Sequence, residues 1–245
     1  MNIVVTGGTG FIGRALVEEL ARAGHDIVVL SRRPHSAAQP QVRYVEWDAR
    51  SVGPWQQAVA AADAVVNLAG EPIAEGRWTT ARKRILVESR ILATRLLVDA
   101  IATRSQPLPV LISASGIGYY GPQDDRAVDE RSPLGEGFLA QLSAAWEAEA
   151  LRAGQYGTRV VLLRTGMVLE RDGGALPKMM LPFRLFAGGP VLPGTSSHSP
   201  RAQSAIAGCA SSSGVSCASG VATTSPILSA MMSMPTMAAT PASPN

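Results

Sequence analysis

Short apolar runs alternate with longer segments of helical periodicity through the first three quarters of the chain. Six runs are strand candidates: Asn2 to Thr6, Asp26 to Ser31, Val42 to Trp47, Ala64 to Ala69, Val110 to Ser113 and Arg159 to Arg164. Most are near-continuous in Val, Ile and Leu, which is typical of parallel strands that are covered on both faces. The alternation predicts βαβ units, so we expect an α/β fold with a doubly wound, Rossmann-like parallel sheet.

Three segments between these runs carry apolar residues at helical spacing. The first follows the first strand and includes Phe11, Ile12 and Leu16. The second is long, from Thr79 to Thr103, with Thr79 or Thr80 as its expected N-cap. The third, from about Gly137 to Ala153, precedes the sixth strand. Each is expected to pack one face against the sheet.

The first strand runs directly into Gly7, Gly10 and Gly13, which are spaced three residues apart. In such a turn Gly7 permits the tight bend, Gly10 lets a phosphate approach the backbone, and Gly13 lets the helix pack closely. The free N–H groups at the helix N-terminus favour an anion. A glycine-rich turn that binds nothing is the alternative, but the strand before it and the helix after it favour a dinucleotide pyrophosphate site.

The end of the second strand bears on the choice of cofactor. An acidic residue there accepts hydrogen bonds from the ribose 2′-hydroxyl of NAD, whereas an arginine accommodates the 2′-phosphate of NADP. This strand ends in Ser31, followed by Arg32 and Arg33, with no carboxylate. The two arginines could be a solvated loop pair, but beside the glycine turn they favour NADP(H).

Two further strand ends are expected near the cofactor. Asp48 follows the third strand and could accept from the adenine amine or serve a simple turn. Leu68, Ala69 and Gly70 follow the fourth strand, where small residues suit close passage of the chain beside a cofactor.

Composition narrows the functional classes. With 46% hydrophobic and 17% charged residues among 245, the chain can fill one α/β core. The net charge of +3 comes without a basic run, so we expect no nucleic-acid partner. We also expect no membrane span, since no segment approaches about 20 apolar residues, and a cytoplasmic location, since the chain opens on a strand. The three histidines, His25, His35 and His198, are isolated, so no metal site is expected. Nothing in the pattern indicates the oligomeric state.

The composition changes abruptly after Pro190. Residues 191–245 contain no Asp, Glu, Lys, Phe, Trp or Tyr, and they are dominated by Ser, Ala, Pro and Thr. Few large apolar groups are available to offset the entropy of ordering the backbone, so little stable structure is expected. A natural low-complexity extension and a reading-frame shift near Val191 both explain the change, and we favour the frameshift. We therefore predict a nucleotide-binding domain at 1–190 and a low-complexity tail at 191–245.

The motifs along residues 1–190 resemble those of epimerase-family proteins, a group of atypical extended short-chain dehydrogenases/reductases that bind NADP(H). The motifs are Asn67–Ile73, Arg77–Trp78, Ser89–Ile91, Ser113–Ser115, Gly118–Gly121, Leu163–Gly166, Gly173–Gly174, Leu181–Arg184 and Gly188–Pro190. The resemblance implies a cofactor site lined by Thr9, Gly10, Phe11, Ile12, Ser31, Arg32, Leu68, Ala69, Glu71 and Arg90. Members of this group continue into a substrate-side lobe, which nothing in residues 191–245 matches.

Ordinary members of the superfamily use a Ser and a Tyr-x-x-x-Lys pair for proton transfer while the nicotinamide carries the hydride. Ser115, four residues before Tyr119, matches the usual serine placement, with Ser113 as the alternative. The Tyr-x-x-x-Lys pair is absent: Phe138 or Leu139 and then Leu142 or Ser143 stand in its place. Tyr119 and Tyr120 are therefore the remaining candidates, for catalysis or for packing beside the nicotinamide.

These inferences lead to three hypotheses. The first is an NADP(H)-dependent oxidoreductase or nucleotide-sugar epimerase acting on a small-molecule carbonyl or sugar-nucleotide substrate. The second is a non-catalytic NADP(H)-binding sensor or regulatory protein, which the missing Tyr-x-x-x-Lys pair favours. The third is an inactive product with a damaged C-terminus.

Overall fold

The computed structural model describes residues 1–33, 35, 39–170, 173–174, 180 and 215–216. A parallel sheet with strand order β3-β2-β1-β4-β5-β6-β9 forms its centre. Its strands are β1 (Asn2–Thr6), β2 (Asp26–Ser31), β3 (Val42–Glu46), β4 (Ala64–Asn67), β5 (Val110–Gly116), β6 (Arg159–Thr165) and the two-residue β9 (Val215–Ser216). The two-residue strands β7 (Leu169–Glu170) and β8 (Gly173–Gly174) pair with each other antiparallel. This confirms the predicted doubly wound α/β fold.

In the described part of the chain, four α-helices flank the sheet: α1 (Phe11–Arg22), α2 (Trp55–Ala60), α3 (Thr80–Ala102) and α4 (Phe138–Leu151). Two short 3-10 helices, Ile117–Tyr120 and Arg152–Tyr156, follow β5 and α4. The long helix begins as its sequence predicts, because the Thr79 side chain accepts a hydrogen bond of 3.2 Å from the Arg82 backbone N–H. Helix α2 was not predicted from the sequence, because its six residues are too few to show a helical period.

Five strands, β1, β2, β4, β5 and β6, are buried on both faces. Along β1, Ile3 and Val5 join a cluster that contains Leu16 and Leu20 of α1. Val4, between them, points the other way into a cluster that contains Leu97 of α3. Alternate strand residues point to opposite faces, and each fully buried Leu or Ile side chain contributes roughly 1.5–3 kcal/mol. These two layers give the fold its hydrophobic stabilisation.

Several predicted strand ends shift by one to three residues. β3 ends at Glu46 and β4 at Asn67, earlier than their apolar runs suggest. β5 continues past Ser113 to Gly116, because it stays paired with β6 as far as Thr165. The predicted tail at 191–245 lies outside the described residues except for Val215–Ser216, which pair with β6.

The sheet order reverses between β1 and β4, which pair with each other and with β2 and β5 on their outer sides. In an open parallel sheet such a switch point leaves a crevice beyond the carboxyl ends of the strands. That is where the glycine turn lies. In the part of the chain that is described, no helix is long and apolar enough to cross a membrane.

Candidate functional site

The turn between β1 and α1 leaves no space for side chains at two of its glycines. Gly7 has a φ of +67°, which L-residues with a side chain rarely adopt. A methyl group at Gly13 would lie 2.1 Å from the Gly7 carbonyl oxygen. Helix α1 therefore starts directly against the turn. Its N-cap residue, Gly10, has no side chain to cap the helix, and no described side chain takes that place, so the backbone N–H groups of the first turn are available to an anion.

A cavity of about 330 Å³ opens in front of this turn, at the carboxyl ends of the strands. It is lined by Gly7, Thr9, Gly10, Leu30, Ser31, Arg32, Trp47, Asp48, Ala49, Arg50, Leu68, Ala69, Gly70, Glu71, Pro72, Ile85, Glu88, Ser89 and Leu92. Its size falls within the range of ligand pockets. Phe11, Ile12 and Gly13 lie next to it, in the first turn of α1.

Two of the residues that the sequence predicts to hold a 2′-phosphate line the cavity. Ser31 and Arg32 both line it, whereas Arg33 does not. Ser31 Oγ lies 3.4 Å from the Arg33 backbone nitrogen, from which it accepts a hydrogen bond. Asp48 was expected either to accept from the adenine amine or to stabilise a turn, and the structure shows its side chain stabilising the turn that follows β3. Its Oδ1 accepts from the backbone N–H groups of Arg50 at 2.8 Å and Ser51 at 2.9 Å.

Helix α3 clamps the loop that follows β4. Arg90 is buried, and its guanidinium donates to the Glu71 carbonyl at 2.9 Å and to the Leu86 carbonyl at 3.2 Å. Burial lowers the pKa of Arg90 to about 10, which still leaves the group charged at neutral pH. Arg82 pairs with the Glu71 carboxylate at 3.1 Å. The cavity wall at Gly70 and Glu71 is therefore held from behind by two arginines.

A buried polar network fixes the same loop from the sheet side. Thr6 Oγ1 donates to Asn67 Oδ1 at 2.8 Å and accepts from the Ala69 backbone N–H at 3.2 Å. Asn67 Nδ2 donates to Thr94 Oγ1 at 2.8 Å, and the Trp146 indole donates to that oxygen at 2.9 Å. Ala69 is thereby tied to β1, α3 and α4.

A second buried group lies where β5 and β6 end. We call it the Glu147 cluster: Ser115, Tyr119, Tyr120, Glu147 and Arg164. Ser115 Oγ donates a hydrogen bond to Glu147 Oε1 at 2.5 Å. The same carboxylate accepts hydrogen bonds from Nε and Nη2 of Arg164, both at 2.7 Å. Arg164 Nη1 also donates to the Tyr120 hydroxyl at 3.0 Å. Its Cζ lies 3.5 Å from the centre of the Tyr119 ring.

The protonation pattern of this cluster follows from these contacts. Hydrogen bonding to the Glu147 carboxylate raises the pKa of the Arg164 guanidinium above its ordinary value, which fixes the positive charge. The Ser115 hydroxyl has one proton, and it donates that proton in the hydrogen bond to Glu147. Toward any further partner, the Ser115 oxygen can therefore only accept a hydrogen bond. Ser115 is 4% exposed and Tyr120 2% exposed, while Tyr119 is half-buried.

The residues in the usual Tyr-x-x-x-Lys register, Phe138 or Leu139 and then Leu142 or Ser143, include neither a tyrosine nor a lysine. Phe138 begins α4, packs edge-on against Trp78 with ring centres 5.8 Å apart, and lies under the Lys83 ammonium. Leu142, one turn later, is buried in the core. The cation of this site therefore comes from β6, through Arg164.

Residues 3–179 match the profile of the NAD dependent epimerase/dehydratase family. The chain belongs to this family. It is 42% identical over 196 residues to the epimerase family protein SDR39U1 homolog, chloroplastic, of Arabidopsis thaliana, an alignment that covers 78% of this chain and 56% of that protein. It is 39% identical over 194 residues to human epimerase family protein SDR39U1, covering 78% and 62%.

Solved structures of the family share the fold. The crystal structure of human SDR39U1 (isoform 2) with NADPH is 40% identical, with a TM-score of 0.65 over 78% of this chain and 62% of that one. A nucleoside-diphosphate sugar epimerase from Corynebacterium glutamicum is 33% identical, with a TM-score of 0.63 over 79% and 39%. The matched region spans about three fifths of the curated relatives' length, 56% and 62% for the two named above.

The structure brings ten of the residues named from the sequence for the cofactor to one cavity: Gly7, Thr9, Gly10, Ser31, Arg32, Asp48, Leu68, Ala69, Gly70 and Glu71. Arg90 stands behind the wall, within contact of Gly70. Glu147 and Arg164 were not among the site residues expected from the sequence, although Arg164 lies in the Leu163–Gly166 motif. The signal available for each was a charged residue inside an otherwise largely apolar helix or strand.

Proposed function

We propose that this chain binds NADP(H) in the cavity at the β1–α1 turn. The observation that carries the proposal is the joint placement of Ser31 and Arg32 with the glycine turn around one cavity, without a carboxylate at the end of β2. The uncapped N-terminus of α1 suits the pyrophosphate, and Ser31 and Arg32 suit a 2′-phosphate. The family membership and the NADPH in the human relative's structure support the same assignment.

Substitution of Arg32 tests the cofactor preference. In Arg32→Ala we expect NADPH affinity to fall by about 10- to 100-fold, the equivalent of a lost charge-assisted hydrogen bond of roughly 1.5–3 kcal/mol. NADH affinity should change little, because NADH has no 2′-phosphate. Arg33→Ala is the matched control, since Arg33 does not line the cavity. Fluorescence titration of both cofactors measures the effect, and equal weakening for both would refute the assignment.

We further propose an oxidoreductase or epimerase reaction on a small carbonyl compound or a sugar nucleotide. The cofactor supplies hydride exchange when bound. Ser115 would accept a hydrogen bond from a substrate hydroxyl, since its own proton is given to Glu147. Tyr119 is the more exposed of the two tyrosines and is the stronger candidate to meet the substrate.

This chemistry predicts specific losses of turnover. Ser115→Ala and Tyr119→Phe should lower kcat by roughly 100-fold or more while NADPH affinity stays within about twofold, as expected for groups that act in the transition state. Tyr120→Phe should have a smaller effect, because its hydroxyl is buried against Arg164. Tyr44→Phe, remote from the cluster, is the control. Turnover that survives loss of all three hydroxyls would place the chemistry elsewhere.

A non-catalytic NADP(H)-binding protein is the second candidate. It is favoured by Phe138 and Leu142 at the places where a Tyr-x-x-x-Lys pair would stand, and by the burial of Ser115 and Tyr120. Stoichiometric NADPH binding, without NADPH oxidation by a panel of aldehydes and ketones and without epimerisation of nucleoside-diphosphate sugars in the presence of NADP(H), would support this candidate. Turnover in either assay would exclude it.

A further inference from the structure

Glu147 is a buried acid to which the proposed reaction assigns no step. It lies in the third turn of α4 and is 5% exposed. Its two carboxylate oxygens receive three hydrogen bonds of 2.5 to 2.7 Å, one from Ser115 and two from Arg164. A buried carboxylate is tolerated only when it is paired and fully hydrogen-bonded, and this one is.

The other side of Arg164 meets the two tyrosines. Nη1 donates to the Tyr120 hydroxyl at 3.0 Å, and the guanidinium carbon lies 3.5 Å from the Tyr119 ring centre. The rings of Tyr119 and Tyr120 stand edge to face, with centres 5.4 Å apart. A single cation from β6 thus contacts both aromatic side chains, and its orientation is set by the bidentate pair with Glu147.

The neighbouring residue anchors the helix independently. Trp146 donates to Thr94 at 2.9 Å, and its ring lies 5.3 Å from the Arg90 guanidinium carbon. Helix α4 is therefore held against α3 without Glu147, so a substitution of Glu147 that preserves its shape leaves this anchoring in place.

We propose that Glu147 is a positioning residue for the Ser115–tyrosine site: it holds the Arg164 cation against Tyr119 and Tyr120 and fixes the Ser115 proton. The inference rests on the catalytic role proposed for this cluster. In that role, Glu147 of α4 orients the Arg164 cation of β6. Ordinary members of the superfamily instead carry a lysine on the helix. Each oxygen of Glu147 accepts a hydrogen bond from Arg164, so the proposal assigns Glu147 an orienting role and no proton-transfer step.

The positioning role of Glu147 can be tested by the direction in which substitutions shift the pH midpoint of tyrosine ionisation. The chain has four tyrosines, and Tyr44→Phe with Tyr156→Phe leaves only Tyr119 and Tyr120 to be followed by ultraviolet absorbance. In that background Glu147→Gln removes the charge that balances Arg164, so the midpoint of ionisation should move to lower pH by on the order of one pH unit. Arg164→Gln should move it to higher pH. Loosening of the structure would shift both variants in the same direction.

Glu149→Gln is the matched control, because Glu149 lies on the same helix and pairs with Arg95 and Arg152 instead. It should leave the midpoint unchanged. Far-ultraviolet circular dichroism verifies folding over the pH range. If a single variant does not fold, the double variant Glu147→Gln/Arg164→Gln, which leaves no unpaired charge, should ionise above the parent. Absent or same-direction shifts would overturn the proposal. NADPH affinity, measured in parallel, tests the proposed cofactor function separately.

Discussion

Single residues decide how closely α1 approaches the glycine turn. The Cα of Gly13 faces the turn so closely that a side chain has no space, and the turn would have to move to admit one. Gly13 does not line the cavity, but it sets how closely the first turn of α1 approaches the Gly7 carbonyl. We therefore expect it to determine the geometry of the proposed anion site.

We expect Gly13→Ala to lower NADPH and NADH affinity alike, by roughly tenfold or more, and to cost about 1–3 kcal/mol of unfolding free energy from overpacking. Gly154→Ala is the control, since a methyl group there would meet nothing within 4 Å. Cofactor titration and urea unfolding measure the two effects. Unchanged affinity in Gly13→Ala would mean that the turn is not the anion site.

Asp48 gives a pH-dependent prediction. Hydrogen bonds, first from the Ser51 side chain and then from the backbone N–H groups of Arg50 and Ser51, lower the pKa of its carboxyl below the ordinary value. A lowered pKa in the folded state means that the stabilisation is present above the unfolded-state pKa, about 3.9, and is lost as the pH falls through the folded-state pKa.

Asp48→Asn should therefore be less stable than the parent at neutral pH, and the difference should shrink as the solution is acidified below about pH 4. Urea unfolding at several pH values measures it, with the exposed Asp125→Asn as control. A difference that grows on acidification would have the wrong sign.

Among the elements, the six main strands and the long helices were predictable because their apolar residues follow a strand or helix pattern over many positions. β4 was predicted too long because Leu68 and Ala69 are apolar but belong to the cavity wall. The Glu147 cluster was predictable only in part, through Ser115, Tyr119 and Tyr120. The pairing of Glu147 with Arg164 was not, because these residues are 17 positions apart and meet only where α4 packs beside the carboxyl ends of β5 and β6. The spacing of residues along the sequence does not tell which residue of α4 will face which residue of β6.

The start of α3 offers an element-scale prediction. The Thr79 side chain caps the helix by accepting from the Arg82 N–H, whereas Thr80 is already inside the helix. Thr79→Ala should cost about 1 kcal/mol of unfolding free energy, and Thr80→Ala clearly less. Thermal or urea unfolding of the two variants makes the comparison, and an equal or reversed effect would assign the cap to Thr80.

In the whole molecule, both candidate sites are built from residues before 171. The glycine turn, the end of β2, the β4 loop and the Glu147 cluster all lie in the region that matches the family, 3–179. A chain that ends at residue 190 should consequently bind NADPH with an affinity within about threefold of the full chain. Isothermal titration of both forms measures this, and loss of binding in the shorter form would show that residues 191–245 contribute to the site.

NADP(H) binding is tested by the affinity of the unmodified full chain for NADPH and for NADH under identical conditions. Ser31 and Arg32 at the cavity predict that NADPH binds at least tenfold more tightly, since only NADPH carries the 2′-phosphate that these residues suit. Isothermal titration calorimetry gives both dissociation constants. Equal affinities, tighter binding of NADH, or no binding of either cofactor would contradict the account.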